Sequence, residues 1–165
     1  MIKKKNRDNN LIYGEITSLG ILTLIDDLKK HTNYSSSFLD VGSGYGKLVR
    51  MVGEIAKIKS KGIEIDKERY NICNIINYNS KESNIKFKVG DIRDNENLLH
   101  EANIIFLHDV AWDSSLTDFV FKNCGKNKII YLSKIEESKK KLFEHILLEV
   151  SWQPHKIKWY KIITN

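Results

Sequence analysis

Residues 38–47 read FLDVGSGYGK: an apolar run, an aspartate, then Gly42, Gly44 and Gly46 in alternation. Glycine permits positive φ and lets a ligand approach the backbone closely. A bare strand–helix turn needs one glycine, whereas three in alternation point to a cradle for a ligand. The spacing is G-x-G-x-G, not the G-x-G-x-x-G that seats a pyrophosphate on a helix N-terminus. Lys47 is not followed by the Ser or Thr of a nucleotide phosphate loop. Asp40, at the entrance to the turn, would repel a phosphate and attract an amine or a sulfonium centre.

Glu64 follows about twenty residues after the turn, an offset that suits an acid accepting both hydroxyls of a ribose. It lies between Ile63 and Ile65 in a strand-like run, where a charge without a task is costly. Asp91 closes "IKFKVGD" (85–91) and either meets an adenine amine or caps the next helix; Ile92 adjoins it. Together these residues describe an adenosine with a positive, phosphate-free tail. S-adenosylmethionine fits that description.

Short apolar runs alternate with helical patterns around these positions. Residues 15–30, EITSLGILTLIDDLKK, carry the apolar spacing of an amphipathic helix. Strand-like runs cover 37–42, 61–66, 85–91, 102–109 and 127–134. Helical patterns cover 47–58, 67–81 and 114–124, and a short acidic and apolar stretch holds Leu98 and Leu99. The closing runs, 142–152 and 156–164, read as two strands around Gln153-Pro154, the first of them open to a helical reading as well. Alternation of this kind predicts a Rossmann-like, doubly wound α/β sheet, mostly parallel, with an antiparallel C-terminal hairpin. Its ligand site is expected beyond the carboxyl ends of the strands, where the strand order reverses.

The 165 residues suit one domain over 11–165, preceded by a basic, mobile stretch over 1–10. Lys and Arg number 27 against 21 Asp and Glu, a net charge of +6. That balance favours acidic partners such as nucleic acid or chromatin, although exposed lysine is common on any surface. The chain has no apolar run of membrane-spanning length and its start is not a secretory signal. Cys73 and Cys124 form no metal-type pair and read as reduced thiols of an intracellular protein, nuclear or cytoplasmic. His31, His100, His145 and His155 show no metal-ligand spacing, so no metal site is expected.

The glycine turn and "GIEID" resemble the cofactor motifs of class I methyltransferases. Three further segments narrow the likeness. "YGEITSLGILTLIDDL" (13–28) resembles the Y-G-E segment ahead of the cofactor strand in the disruptor-of-telomeric-silencing family of histone lysine methyltransferases. "ANIIFLHDVAW" (102–112) stands where that family carries an apolar strand ending in Asn-Asn-Phe-Ala-Phe, and "VSWQPHKIKWYKI" (150–162) resembles its closing Ser-Trp and Tyr-Tyr hairpin. Here His108-Asp109 replaces the paired asparagines and Trp159 the first closing tyrosine. The family's long helical N-terminal region and basic C-terminal extension are not in this sequence, which leaves Lys3 to Arg7 as the candidate grip on chromatin.

The resemblance implies a seven-stranded sheet, S-adenosylmethionine, and a lysine ε-amine acceptor, with a nucleosomal core histone as its candidate source, entering a narrow channel. Tyr13, Glu15, Asp40, Gly42, Gly44, Gly46, Glu64, Asp91, Ile92 and His108 are then the cofactor contacts, with Glu15 holding the cofactor's amino group or closing the entrance loop. Val110, Trp112, Trp152, Trp159 and Tyr160 are the channel wall. His108, Tyr13 and Trp159 are the catalytic candidates, His108 as acceptor of the amine's hydrogen bond or proton; a histidine bonded to Asp109 at a strand end is the plainer reading. The same fold also serves nucleic-acid and small-molecule methyltransferases and non-catalytic cofactor-binding subunits.

Overall fold

A computed structural model describes residues 14–33, 35–80, 82–109, 114–136 and 143–165. Seven strands form one sheet: β1 Ser37–Val41, β2 Lys59–Glu64, β3 Ile85–Val89, β4 Ile104–Leu107, β5 Ile129–Leu132, β6 Glu144–Leu148 and β7 Ile157–Ile163. Their order is β3-β2-β1-β4-β5-β7-β6. The first five run parallel, and β7 pairs antiparallel with both β5 and β6. The order reverses between β1 and β4, so their carboxyl ends diverge there into a crevice. The helices are α1 Ser18–Leu28, α2 Lys47–Met51, α3 Lys67–Ser80, α4 Asn97–Glu101 and α5 Ser114–Asn123.

Period-two alternation assigns each strand residue to one of two cores. Phe38, Ile104, Phe106, Tyr131 and Trp159 pack with Leu24, Ile25 and Leu28 of α1. Leu39, Val41, Ile105, Leu107, Ile130 and Leu132 pack on the opposite face with Leu98, Leu99 and Val120. The acidic and apolar stretch after β3 is therefore structured: a 3₁₀ turn over Ile92–Asp94 leads into α4, whose Leu98 and Leu99 are buried. Cys73 and Cys124 are free and buried. No helix among the described residues is long and apolar enough to cross a membrane.

Three boundaries depart from the periodicity. The first helix begins at Ser18, not Glu15, because the Thr17 hydroxyl accepts the Gly20 N–H as an N-cap. Residues before it pair instead with the chain after β6, bridging Ile16 to Val150. The 47–58 helix is α-helical only to Met51 and then adopts a π-helical turn over Val52–Ala56. The buried Ser60 hydroxyl donates to the Val49 carbonyl at 2.9 Å, the acceptor that an α-helix would give to the Gly53 N–H. The first closing run is a strand, paired in full with β7, which resolves its ambiguous pattern. The basic start of the chain lies outside the described residues.

One buried polar link joins α1 to the sheet. The Tyr131 hydroxyl donates to Asp27 Oδ2 at 2.7 Å, and Lys30 and Lys161 stand beside the same carboxylate. Burial pushes the Asp27 pKa up, but the Tyr131 hydrogen bond and the two lysines outweigh it and hold it below 3.8. A depressed carboxylate stabilises the fold above its unfolded pKa and loses that contribution as pH falls through the folded value. Tyr131→Phe is expected to cost about 1.5–3 kcal/mol at neutral pH, read from the urea midpoint. The gap between variant and parent should close below the ordinary carboxylate range; a gap that persists at pH 2 would contradict this role for Asp27.

Candidate active site

The turn after β1 is where three alternate positions leave the usual backbone regions. Gly42, Gly44 and Gly46 have φ of 80°, 55° and 74°, conformations that L side chains adopt only with strain. The loop is fastened to the end of β2. The amides of Gly42 and Ser43 both donate to the Ile63 carbonyl, at 2.9 and 3.0 Å. Gly44 N–H donates to Glu64 Oε2 at 2.7 Å, and Asp66 N–H donates to Glu64 Oε1 at 2.9 Å. Glu64 thus shapes the turn as well as facing the cavity. Each of its oxygens keeps a second lone pair for a ligand.

The turn walls a cavity of about 250 Å³. Its lining includes Glu15, Asp40, Gly42, Gly44, Glu64, Asp91, Ile92, His108 and Trp152, which brings together most of the positions singled out from sequence. Gly46 is not in the wall; it sets the geometry behind it as the residue ahead of α2. Asp40 is 3% exposed, and no hydrogen bond to its carboxylate is found among the described residues. Burial, reinforced by the neighbouring Glu64 charge, pushes its pKa up to about 8. Ser43 Oγ, also in the cavity wall, is buried with no hydrogen-bond partner among the described residues. Asp91 takes the capping role: its carboxylate accepts the Arg93 N–H and pairs with the Arg93 guanidinium, which holds its pKa down.

At the other end of the cavity His108 follows β4. Its ring lies 5.1 Å from that of Trp152 and 6.1 Å from that of Trp159. Burial lowers its pKa to about 4, so the imidazole is neutral at physiological pH. Asp109 is not its partner: its carboxylate accepts from the amide and hydroxyl of Ser133 and the amide of Lys134, tying the end of β4 to the end of β5. Trp159 is fully buried, stacked on Phe106, and Tyr160 belongs to the opposite core; neither lines the cavity. Tyr13, Val110 and Trp112 lie outside the described residues.

The segments 14–17 and 149–152 meet beside this wall. Ser151 N–H donates to the Glu15 carbonyl at 2.8 Å, Glu15 N–H to Ser151 Oγ at 3.1 Å, and Thr17 N–H to the Glu149 carbonyl at 3.0 Å. A Cβ on Gly14 would stand 2.6 Å from the Trp152 ring, so only glycine lets the indole close over the backbone. Gly14, Ser43, Lys47, Arg69, Arg93, Phe106 and Leu116 also line the cavity and were not in the sequence-derived set. For Ser43 and Lys47 the signal was adjacency to the turn glycines; for Phe106 and Leu116 none was present, because their apolar patterns are those of any core residue.

The family model described as "Histone methylation protein DOT1" matches residues 2–162. No curated protein matches the chain. Among solved structures, an RNA methyltransferase from Salinibacter ruber in complex with S-adenosyl-L-homocysteine superposes with a TM-score of 0.64 at 14% identity, over 86% of this chain and 92% of that one. M. capricolum TrmK, in complex with S-adenosyl-homocysteine, gives 0.60 at 14%, over 92% and 70%. A precorrin-6y C5,15-methyltransferase from Geobacter metallireducens gives 0.62 at 9%, over 88% and 87%. Identities this low carry the fold alone.

Glu64→Gln replaces an oxygen acceptor by an amide donor against two backbone N–H groups. It is expected to cost about 1–3 kcal/mol and to speed hydrogen exchange at the Gly44 amide or the Asp66 amide. Exchange unchanged at both amides would show that the carboxylate does not hold the turn.

Proposed function

The chain belongs to the DOT1 histone methylation family, and from that premise we propose that it transfers a methyl group from S-adenosylmethionine to a lysine ε-amine of a core histone on chromatin. The observation that carries this reading is the pairing of Gly14–Thr17 with Glu149–Trp152 beside His108. These two segments carry the Gly-Glu and Ser-Trp likeness to that family, and they meet at the cavity wall, where Glu15 stands 3.9 Å from Lys47 at the end of the glycine turn.

The residues present suit the cofactor. An adenosyl group with a sulfonium and an ammonium calls for acids at the glycine turn. Asp40 is a buried acid with no donor among the described residues, and each Glu64 oxygen retains a free lone pair beside its one backbone donor. A cationic ligand beside Asp40 would favour its ionised form, which burial alone disfavours. The bound cofactor supplies an electrophilic methyl carbon; the protein's part is to orient, to exclude water and to place the acceptor opposite the departing sulfur.

Lysine must arrive neutral, and its reference pKa is about 10.4. The apolar wall of Phe106 and Trp152 disfavours the ammonium form by desolvation. His108, held at about 4, is too weak a base to keep the lysine proton at neutral pH. Its role is narrower than a proton acceptor: the neutral ring receives a hydrogen bond from the amine and aims its lone pair. Asparagine, which the family carries at this position, has an acceptor oxygen that does the same.

The direct assay supplies labelled S-adenosylmethionine with nucleosomes, free histones and RNA. Label in a histone lysine is expected, and label in RNA alone would replace this reading by that of a nucleic-acid methyltransferase, to which the net charge of +6 lends some support. His108→Ala should lower kcat at least about tenfold while His108→Asn keeps most of it. The rate should rise with pH as the acceptor deprotonates, with no histidine limb between pH 5 and 8. A limb abolished by His108→Asn would contradict the positioning role.

A further inference from the structure

Helix α3 turns its apolar residues outward. Its inner face is Tyr70, Cys73 and Asn77: Cys73 is buried, and the Asn77 amide donates to the Ile85 carbonyl of β3 at 3.2 Å. The opposite face carries Ile72, Ile75, Ile76 and Tyr78, which are 46%, 62%, 41% and 83% exposed. No residue from Tyr70 to Ser80 is charged, in a chain whose residues are 29% charged. A surface helix ordinarily gives its polar side to water. Four large apolar side chains on an uncharged outer face mark a contact surface.

The spacing of that face identifies its occupant. Glu68, Ile72, Ile75 and Asn79 follow one another at steps of four, three and four, a seam that two helices can share. The series of steps is the same in both directions. An antiparallel second copy therefore sets Ile72 against that copy's Ile75, and Glu68 against its Asn79 at both ends, where the amide can donate to the carboxylate. Charge points the same way: copies of a chain with net charge +6 repel, and an uncharged face is where they meet at least cost. We propose that a second copy of this chain covers α3, in a twofold-symmetric dimer formed by antiparallel packing of α3 on α3. The outer strand β3 is not the route, because pairing two β3 edges would oppose the exposed Lys86 and Lys88 of the two copies. α3 packs on β3 and β2, at the opposite edge of the sheet from β6 and β7, so the pairing leaves the Trp152 side of the cavity open. The fourteen residues of α3 span about 21 Å. So small an interface is weak, with a dissociation constant on the order of 10 µM.

Sedimentation equilibrium, run from well below to well above that concentration, tests the proposal. The mass should rise from 19.2 kDa toward twice that value. Ile75→Glu, at an exposed position, should keep the urea midpoint measured on dilute protein and weaken association at least about a hundredfold. Cross-linking reads the register without relying on that variant. An equimolar mixture of Ile72→Cys and Ile75→Cys chains should oxidise to the mixed pair faster than either chain pairs with itself, the native Cys73 and Cys124 being buried. A parent that stays at 19.2 kDa at every concentration would overturn the proposal. So would association that survives Ile75→Glu unchanged, or a mixed pair that forms no faster than the like pairs.

Discussion

Two carboxylates, Asp40 and Glu64, are buried near the carboxyl ends of the adjacent strands β1 and β2, and neither forms an ion pair with a cation among the described residues. Removing such charges from water costs several kcal/mol each unless hydrogen bonds or a change of protonation offset it. Glu64 takes the first route, with a backbone N–H on each oxygen. Asp40 takes the second, its pKa raised to about 8 by burial and by Glu64. The turn is fastened to β2 by Glu64 through the Gly44 amide and by the Ile63 carbonyl through the amides of Gly42 and Ser43. The Asp40 carboxyl is left without a hydrogen-bond donor among the described residues.

A second constraint closes the cavity beside His108. The chain ahead of α1 lies as a short antiparallel partner of the segment after β6, and Gly14 gives the Trp152 ring its place. This contact joins residues more than 130 positions apart, which explains why the two segments carry the family likeness together. The Trp152 indole N–H is buried without a partner among the described residues. Leaving such a donor unpaired costs about 1–3 kcal/mol, a cost that a site can carry when a ligand supplies the acceptor.

Much of the architecture is legible in the residues because the sheet is covered on both faces. Its strands are short apolar runs and its helices amphipathic, so their alternation shows directly. The acids of the cavity are legible for a related reason: Asp40 and Glu64 stand in apolar surroundings where a charge needs a purpose. The limits are equally physical. The π-helical turn depends on Ser60, a residue of another strand, and no local pattern announces it. Trp159 and Tyr160 alternate on β7, and sequence cannot say that one is sealed under α1 and the other lies on the opposite core. His108 and Asp109 are adjacent and chemically matched, yet the strand end sends them to different partners.

The central claim is that the turn and its two acids hold an adenosyl group with a cationic tail. A crystal structure of the protein grown with S-adenosylhomocysteine tests it most directly. The account predicts the ribose hydroxyls on Glu64, the amino-acid end beside Asp40 and the sulfur directed toward His108. Density for the ligand anywhere else, or a cavity that stays closed to it at saturating concentration, would contradict it.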